Sequence, residues 1–347
     1  MFRNKMALTT LVLFTTAAFI LSFTVGLAAE KTEQVDENCD SGCENITNSE
    51  DIHSDDTIPV SLPIGVWSLN DDARGLWGNK YTGGTIWTSP KNIIFLLDEA
   101  QTKGMHVVIS LAGFGKSKYQ NTDDSFNLVL WKARVDRYGG INLDKFIDDG
   151  TIIVHHLVDE PKGRSHWGGD VIPNDILDEM ARYSKARWPN MATVVRVTPT
   201  DLAEHAGGYQ ISIPDWIWQY LDTAWLQYSS RKGPIVDYIT EESQSAGEQG
   251  LGLIVGLNVL TGGDGSSGKP GPDKYDDKWT MSTEELLAYG IPLIESQISC
   301  AFIMWTYRYD NDPSYKFSYF DLPDIDAAVA NLKQLADQGP QQSCIGK

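Results

Sequence analysis

The stretch TIIVHHLVDEP, residues 151–161, decides the fold of this chain. A run of apolar and β-branched residues ends in two adjacent carboxylates, Asp159 and Glu160, followed by Pro161. Such a short apolar run predicts a strand that is buried on both faces. Proline cannot donate to a strand ladder and favours an extended residue before it, so the strand ends here. We therefore expect both carboxylates at the mouth of a buried sheet.

Similar apolar runs alternate with helical patterns from residue 58 onward. Strands are predicted over 63–69, 105–113, 151–158, 192–199, 221–228, 251–260 and 300–307, with a weaker one over 84–88. Helices are predicted over 91–104, 125–138, 141–150, 173–188, 233–250, 282–296 and 323–339. The alternation predicts an α/β fold, a (β/α)8 TIM-type barrel in which 84–88 is irregular. An open doubly wound sheet is the alternative, but no glycine fingerprint follows the first strand.

The first 57 residues differ in composition from the rest. Residues 1–29 read as a secretory signal, with Arg3 and Lys5 before an uncharged run. An uncleaved membrane anchor is the alternative, because the run is long enough to span a bilayer. Residues 30–57 carry ten acids and one lysine without any aromatic residue, which is typical of a disordered linker. Residues 58–347 are predicted to form a single barrel domain, and both interpretations of the leader export it.

The charge of the chain limits its partners. The net charge is −19, and it remains −12 when the ten linker acids, Lys31, Arg3 and Lys5 are removed. Such an acidic surface repels nucleic acid and anionic lipid. We expect a neutral or cationic substrate, a monomer, no nucleic acid, and no membrane contact beyond the possible anchor.

The four cysteines fit an exported protein. We favour the pairs Cys300–Cys344 and Cys39–Cys43, since a barrel brings the start of its last strand and the end of its closing helix to one face. Closing the longer loop stabilises by about 4 kcal/mol in the chain-entropy model. A zinc site at Cys39 and Cys43 is the alternative, although His53 is their only histidine neighbour.

The sequence Asp159-Glu160-Pro161 at the end of the predicted strand 151–158 resembles the strand end of a large clan of (β/α)8-barrel glycoside hydrolases. In that clan the fourth strand ends in Asn-Glu-Pro and the glutamate is the acid/base. The resemblance implies this role for Glu160. The chain also resembles a group of uncharacterised secreted bacterial barrel proteins with similar DEP, NVLxGG and MWxY strand ends.

The chain departs from the clan at its second catalytic carboxylate. No glutamate ends the strand at 251–260, so Asp310 is our prediction for the partner acid, with Asp159 and Asp264 as alternatives. A purely structural role stays open, in which Asp159 and Glu160 cap a helix or pair with Arg164 or Arg196. Carbohydrate hydrolysis by general acid/base catalysis is the leading hypothesis. A non-catalytic barrel that binds glycans or cell-surface polymers is the alternative.

Strand-end residues should line the mouth of the barrel. Period-two alternation places His156 and Val158 in the lumen with Glu160, and His155 and Leu157 against the helices. Six loop tryptophans favour an extended groove: Trp77, Trp87, Trp167, Trp216, Trp218 and Trp279. The predicted substrate-binding residues are Trp67, His156, Arg196, Gln227, Tyr228, Asn258, Trp305, Tyr307 and Arg308.

No cofactor or metal is expected. His156 and Glu160 would be about 13 Å apart on a strand, too far to share an ion. Gly115-Lys116-Ser117 resembles part of a phosphate loop, but the required earlier glycine is Ser110. The aspartates of the loop 262–277 do not follow a known calcium spacing. A metal-dependent hydrolase remains a third hypothesis, which chelation tests.

Overall fold

The computed structural model describes residues 61–69, 71–204, 218–272, 278–306 and 319–346. Eight parallel strands close into a barrel in chain order, with the last beside the first. The strands are β1 (Ile64–Val66), β2 (Gly83–Ile86), β3 (His106–Ile109), β4 (Ile152–Asp159), β5 (Thr193–Arg196), β6 (Thr223–Trp225), β7 (Gly252–Val255) and β8 (Ala301–Met304). The predicted (β/α)8 barrel is confirmed.

The α-helices lie between and after these strands. They are α1 (Ile93–Thr102), α2 (Leu128–Asp136), α3 (Asp144–Asp148), α4 (Asn174–Lys185), α5 (Pro199–Glu204), α6 (Ile235–Gln249), α7 (Thr283–Glu295) and α8 (Pro323–Ala336). Helix α5 was not predicted from the sequence, because Pro199 was assigned to the end of a strand. Within the described ranges, none of the helices combines the length and apolar composition needed to cross a bilayer.

The weak strand signal at 84–88 has a steric cause. It corresponds to β2, which begins with Gly83 and Gly84 and runs beside β1. A Cβ atom on Gly65 of β1 would lie 1.8 Å from the Gly83 carbonyl oxygen, so the two backbones require glycine there. Glycine lowers strand propensity, which hides a genuine barrel strand from pattern analysis.

Two apolar clusters hold the barrel together. The larger cluster packs the outer faces of the strands against the helices. The smaller cluster contains Val108, Val154, Val194, Trp225 and Ile254, one side chain from each of five neighbouring strands. Because side chains alternate across a strand, these five residues fill the barrel lumen, and the barrel is a packed core below its mouth.

The alternation along β4 is interrupted near its carboxyl end. His156 pairs with Val194 and Val158 with Val195, so the strand carries one extra residue at this point. Such a bulge reverses the facing of the residues that follow it. Val158 joins Leu157 in the outer cluster, and the prediction that Val158 faces the lumen was wrong. The bulge is also what lets Asp159 reach the mouth.

A disulfide joins Cys300 and Cys344 across 44 positions of sequence. Cys300 immediately precedes β8, and Cys344 follows α8, so the bond closes the amino-terminal end of the barrel. This pairing confirms the geometric prediction. Cys39 and Cys43 lie outside the described residues.

The sequence rules for N-caps hold at the start of α7 and fail at the start of α4. The sequence Ser282-Thr-Glu-Glu285 predicts a capping box at the start of α7, and it is present: Ser282 Oγ accepts from the Glu285 amide at 3.2 Å, and Glu285 Oε2 accepts from the Ser282 amide at 2.8 Å. Asn174, which follows a proline at the start of a helical pattern, is predicted from the sequence to cap α4, and this prediction is wrong. Its amide oxygen accepts from Lys162 Nζ at 2.6 Å and its amide nitrogen donates to the Leu202 carbonyl, since both partners are buried beside it.

Candidate functional site

A cavity of about 400 Å³ opens at the carboxyl ends of β4 to β7. Parallel barrels place their sites at this end, because the loops after each strand converge there. Polar and charged side chains dominate its wall. They include Glu160, Lys162, His166, Arg196, Gln227, Arg231, Lys232 and Asn258, together with the indole of Trp225.

Glu160 sits in an unusual backbone conformation at the edge of this cavity. Its φ is +47°, in the left-handed region that non-glycine residues rarely occupy. Three hydrogen bonds hold it there: its amide donates to the Arg196 carbonyl at 3.1 Å, and its carbonyl accepts from the Gly163 amide and from Trp167 Nε1. Strain of this kind is common where a side chain is aimed at a functional site. The Glu160 side chain is 41% exposed and lines the cavity.

Glu160 and Asp159 contact an overlapping set of basic side chains. Glu160 lies 3.0 Å from Arg196 Nη2, 2.6 Å from His166 Nε2 and 3.4 Å from Lys116 Nζ. Asp159 forms a close ion pair with Arg196 Nε and lies 3.7 Å from Lys116 Nζ. We call these five residues the ionic cluster. The structure therefore contains the pairing with Arg196 that the sequence left open, while Arg164 donates to the Gly169 carbonyl.

The two acids of the ionic cluster have different environments. The Asp159 side chain is 16% exposed, and Arg196 is 12% exposed. Burial raises the pKa of Asp159, but the charges of Arg196 and Lys116 outweigh it and hold the pKa at about 2. Asp159 is thus a fixed negative charge that anchors Arg196, whereas the carboxylate of Glu160 reaches the cavity.

His156 lies deeper in the lumen, below the ionic cluster. Its ring is surrounded by Trp67 at 5.2 Å, Phe114 at 5.3 Å and Trp225 at 6.0 Å between centroids. Burial lowers the pKa of His156 to about 3, against the attraction of Asp159. Within the part of the chain that the structure describes, the neutral imidazole has no hydrogen-bond partner on either nitrogen. Its predicted lumen position is what the structure shows.

Two further polar atoms near the mouth have unused hydrogen-bonding capacity. Gln227 Oε1 accepts from Arg196 Nη1 at 2.9 Å, while Gln227 Nε2 has no partner among the described residues. Trp225 Nε1 likewise has none in that part of the chain, and both residues line the cavity. Buried donors are normally satisfied, so these two donors suit a hydroxyl-rich ligand that enters the mouth.

Tyr228 is a correction to the predicted set. It is 1% exposed, its hydroxyl donates to the Gly233 carbonyl, and its ring contacts Tyr238 of α6 and Tyr289 of α7. Gln227 faces the mouth, and neighbouring residues of an extended segment point to opposite sides. Tyr228 therefore faces the helices.

The remaining predicted residues differ in how close they lie to the mouth cavity. Asn258 lines the cavity and accepts from Thr261 through Oδ1, and Trp67 lies in the lumen with Arg196 5.4 Å above its ring. Trp305 is half-buried at the end of β8, where its main chain pairs with Asn258. Asp264 accepts from the Ser266 amide near the start of α7 and is not among the residues that line the cavity. Outside the described residues lie Tyr307, Arg308 and Asp310.

The loop tryptophans support an extended groove less than their number suggested. Trp77, Trp167 and Trp218 are 2%, 1% and 7% exposed and pack in the core. Trp87 is half-buried and Trp279 is 39% exposed. Trp216 lies outside the described residues.

Sequence reasoning missed Lys116, His166, Phe114 and Trp225. Lys116 begins a 3-10 helix, Lys116–Tyr119, after β3, and His166 ends another, Arg164–His166, after β4. Their position after strands was an available signal for both residues. Among the residues that the structure describes, no three histidine, cysteine, aspartate or glutamate side chains are grouped to hold a metal ion.

The buried histidines predict a stability loss in acid. The pKa values of His155 and His156 are both about 3, lowered chiefly by burial, against about 6.5 when unfolded. Below pH 6.5 the unfolded chain binds protons that the folded chain does not, so stability falls as pH falls. Each histidine should cost about 1 kcal/mol between pH 6.5 and 5.5, because half of the unfolded-state imidazoles are already protonated at pH 6.5.

Denaturant unfolding at both pH values checks this expectation in His155→Phe and His156→Phe. His155 lies between Trp131 and Trp188, so phenylalanine suits its site apart from the lost bond to Ser184. Each variant should show a shallower pH dependence than the wild type. If the free energies of unfolding of both variants change between the two pH values by as much as that of the wild type, neither histidine causes the loss of stability in acid. The acid transition of Asp159 falls lower, between about pH 4 and 2.

The fold and mouth define the chain as a (β/α)8 barrel with a strand-end carboxylate site. No protein-family model matches the sequence, and no curated protein matches it. A mutant of xylanase A from P. fluorescens subsp. cellulosa, in complex with xylopentaose, is similar in structure, with a TM-score of 0.50 and 13% identity over 78% of this chain and 97% of that one. A thermostable xylanase mutant from Cellvibrio japonicus gives a TM-score of 0.50 and 12% identity over 79% and 97%. In fold, the chain resembles the barrel glycoside hydrolases.

Proposed function

We propose that this chain is an exported glycoside hydrolase that cleaves a neutral polysaccharide or oligosaccharide, with Glu160 as general acid/base. The observation that carries the proposal is the conformation of Glu160. A strained left-handed backbone at the end of β4 aims a 41% exposed carboxylate into the mouth cavity. Maintaining such strain for a purely structural ion pair has no evident benefit.

The surroundings of Glu160 suit a sugar. The unpartnered donors of Gln227 and Trp225 can bind hydroxyl oxygens, and the half-buried Trp305 offers an apolar face at the end of β8. Arg196 and His166 each contact Glu160 and so fix its position within hydrogen-bond range of a substrate. The Cys300–Cys344 disulfide supports export, because such bonds persist in oxidising compartments.

The second carboxylate in this proposal is Asp310. Its segment follows β8, whose carboxyl end opens onto the same mouth as that of β4. Asp159 suits the role less well, because Arg196 and Lys116 both hold it as a structural anion. A working pair would hydrolyse by retention at about 5–5.5 Å between carboxyl groups and by inversion at about 6.5–9.5 Å.

A non-catalytic glycan-binding barrel is the second candidate function. It is favoured by the contacts of the Glu160 carboxylate with Lys116, His166 and Arg196, since such a network of contacts also suits a structural role for Glu160. The aromatic lumen and free donors would serve binding equally well.

The test is hydrolysis by the exported chain of a panel of soluble polysaccharides. Xylan belongs first in the panel, since the two structural neighbours are xylanases and one holds xylopentaose. We expect new reducing ends on at least one substrate, with the anomer formed first read by NMR. Binding to a substrate without any new reducing ends would instead support the non-catalytic barrel.

A further inference from the structure

A second cavity, of about 600 Å³, lies beside the mouth between the loops after β2 and β3 and the helices α1 and α2. Two of its wall residues are the arginines Arg134 and Arg137 at the end of α2. Aromatic side chains line the rest, among them Trp87, Phe95 and Tyr138. We call this cavity the arginine groove.

The two arginines lack a counter-charge. Arg134 Nε donates to the Ala112 carbonyl at 3.0 Å, and Arg137 Nε donates to the Arg134 carbonyl at 3.0 Å. Within the described ranges neither side chain forms an ion pair with a carboxylate, whereas Arg74 in the same wall pairs with Glu99 at 3.1 Å. Burial and the charge of Arg137 both lower the pKa of Arg134.

This arrangement is unfavourable without an anion. The protein carries a net charge of −19, yet among its described residues two neighbouring cations, one of them half-buried, have no carboxylate partner. Like charges that share a site repel, and an anion between them removes that cost. A guanidinium presents a planar fork of donors that matches a carboxylate in a bidentate manner.

The aromatic walls indicate what carries the anion. Phe95 is 66% exposed and Trp87 is half-buried, so both leave apolar surface open in the groove. Flat apolar faces of this kind pack against sugar rings. Arg137 also lies 5.5 Å from the centroid of the Tyr138 ring, which helps to orient its guanidinium.

Aromatic rings connect the arginine groove with the lumen of the barrel. Trp87 contacts Phe114 at 4.7 Å between centroids, and Phe114 contacts His156 at 5.3 Å and Trp67 at 4.2 Å. We propose that the arginine groove is a second saccharide subsite that binds a carboxylate-bearing sugar residue. The saccharide nature of this ligand rests on the proposed function, whereas its negative charge rests on Arg134 and Arg137.

The test is binding of tetragalacturonate, with its fully methyl-esterified form as the uncharged match. Calorimetry is performed on the Glu160→Gln chain, so that no probe is hydrolysed. We expect the acid to bind more tightly than its ester at low salt. Arg134→Gln and Arg137→Gln should each weaken the binding of tetragalacturonate about tenfold and leave the binding of its methyl ester unchanged.

Arg182→Gln is the matched control. It changes the net charge by the same amount, but Arg182 lies on α4, where it pairs with Glu179. Arg137 is exposed and makes one side-chain hydrogen bond, so its replacement tests the proposal even if Arg134→Gln unfolds. Equal affinity for acid and ester, or an effect of Arg182→Gln as large as that of Arg137→Gln, would overturn the subsite. Its failure is separate from that of the proposed function, because hydrolysis of neutral substrates would then persist.

Discussion

Glu160→Gln should reduce polysaccharide hydrolysis by about 10²–10⁴-fold, the usual contribution of a general acid or base. Glutamine keeps the size of the side chain and can still accept from Arg196 and His166, but it cannot transfer a proton. Substrate binding should persist, since the donors of Gln227 and Trp225 are untouched. The measurement is the initial rate of reducing-end release on the best substrate of the panel.

Glu179→Gln is the control for this substitution. Glu179 lies on α4 and is also ion-paired, with Lys132 at 2.6 Å and with Arg182. Its replacement should leave the rate unchanged. An unaltered rate in Glu160→Gln would remove Glu160 from the mechanism and leave its strained backbone without a catalytic explanation.

Arg196→Met should lower the free energy of unfolding by about 3–5 kcal/mol, the usual cost of breaking a buried ion pair from one side. Arg196 contacts Asp159 through Nε, Glu160 at 3.0 Å and Gln227 at 2.9 Å. Without it, the buried Asp159 retains only Lys116, at 3.7 Å. The loss is measured by denaturant unfolding at pH 7.

A second substitution separates the charge from the packing. The double variant Arg196→Met with Asp159→Leu removes both buried charges and should recover much of the lost stability. Arg182→Met, which breaks the exposed pair with Glu179, should cost less than about 1 kcal/mol. If the double variant is no more stable than Arg196→Met, packing around Arg196 is the dominant contribution.

The elements of the barrel were predictable because their signals are local. Apolar strand runs and amphipathic helices recur along the chain, and seven strands were assigned with their correct order. The exceptions have physical causes. Gly83 and Gly84 weaken the pattern of β2, and the bulge in β4 depends on its pairing with β5.

The site was predictable in part for the same reason. Glu160, Arg196, Gln227 and Asn258 all follow strand ends, and all line the mouth cavity. Lys116 and His166 were missed because they come from irregular loops, whose paths depend on contacts far away in sequence. The assignment of Asp310 remains a prediction.

The sequence by itself determined the class of fold, the order of strands and helices, and the closing Cys300–Cys344 bond. It also determined that Asp159 and Glu160 end a buried strand. Only the tertiary structure decided that Asp159 forms an ion pair with Arg196, whereas the side chain of Glu160 enters the cavity from a backbone with φ at +47°. The reason is that strand register is set by hydrogen bonds between neighbouring strands. One extra residue in β4 reverses the faces on which the following side chains lie, and the local sequence pattern does not predict this reversal.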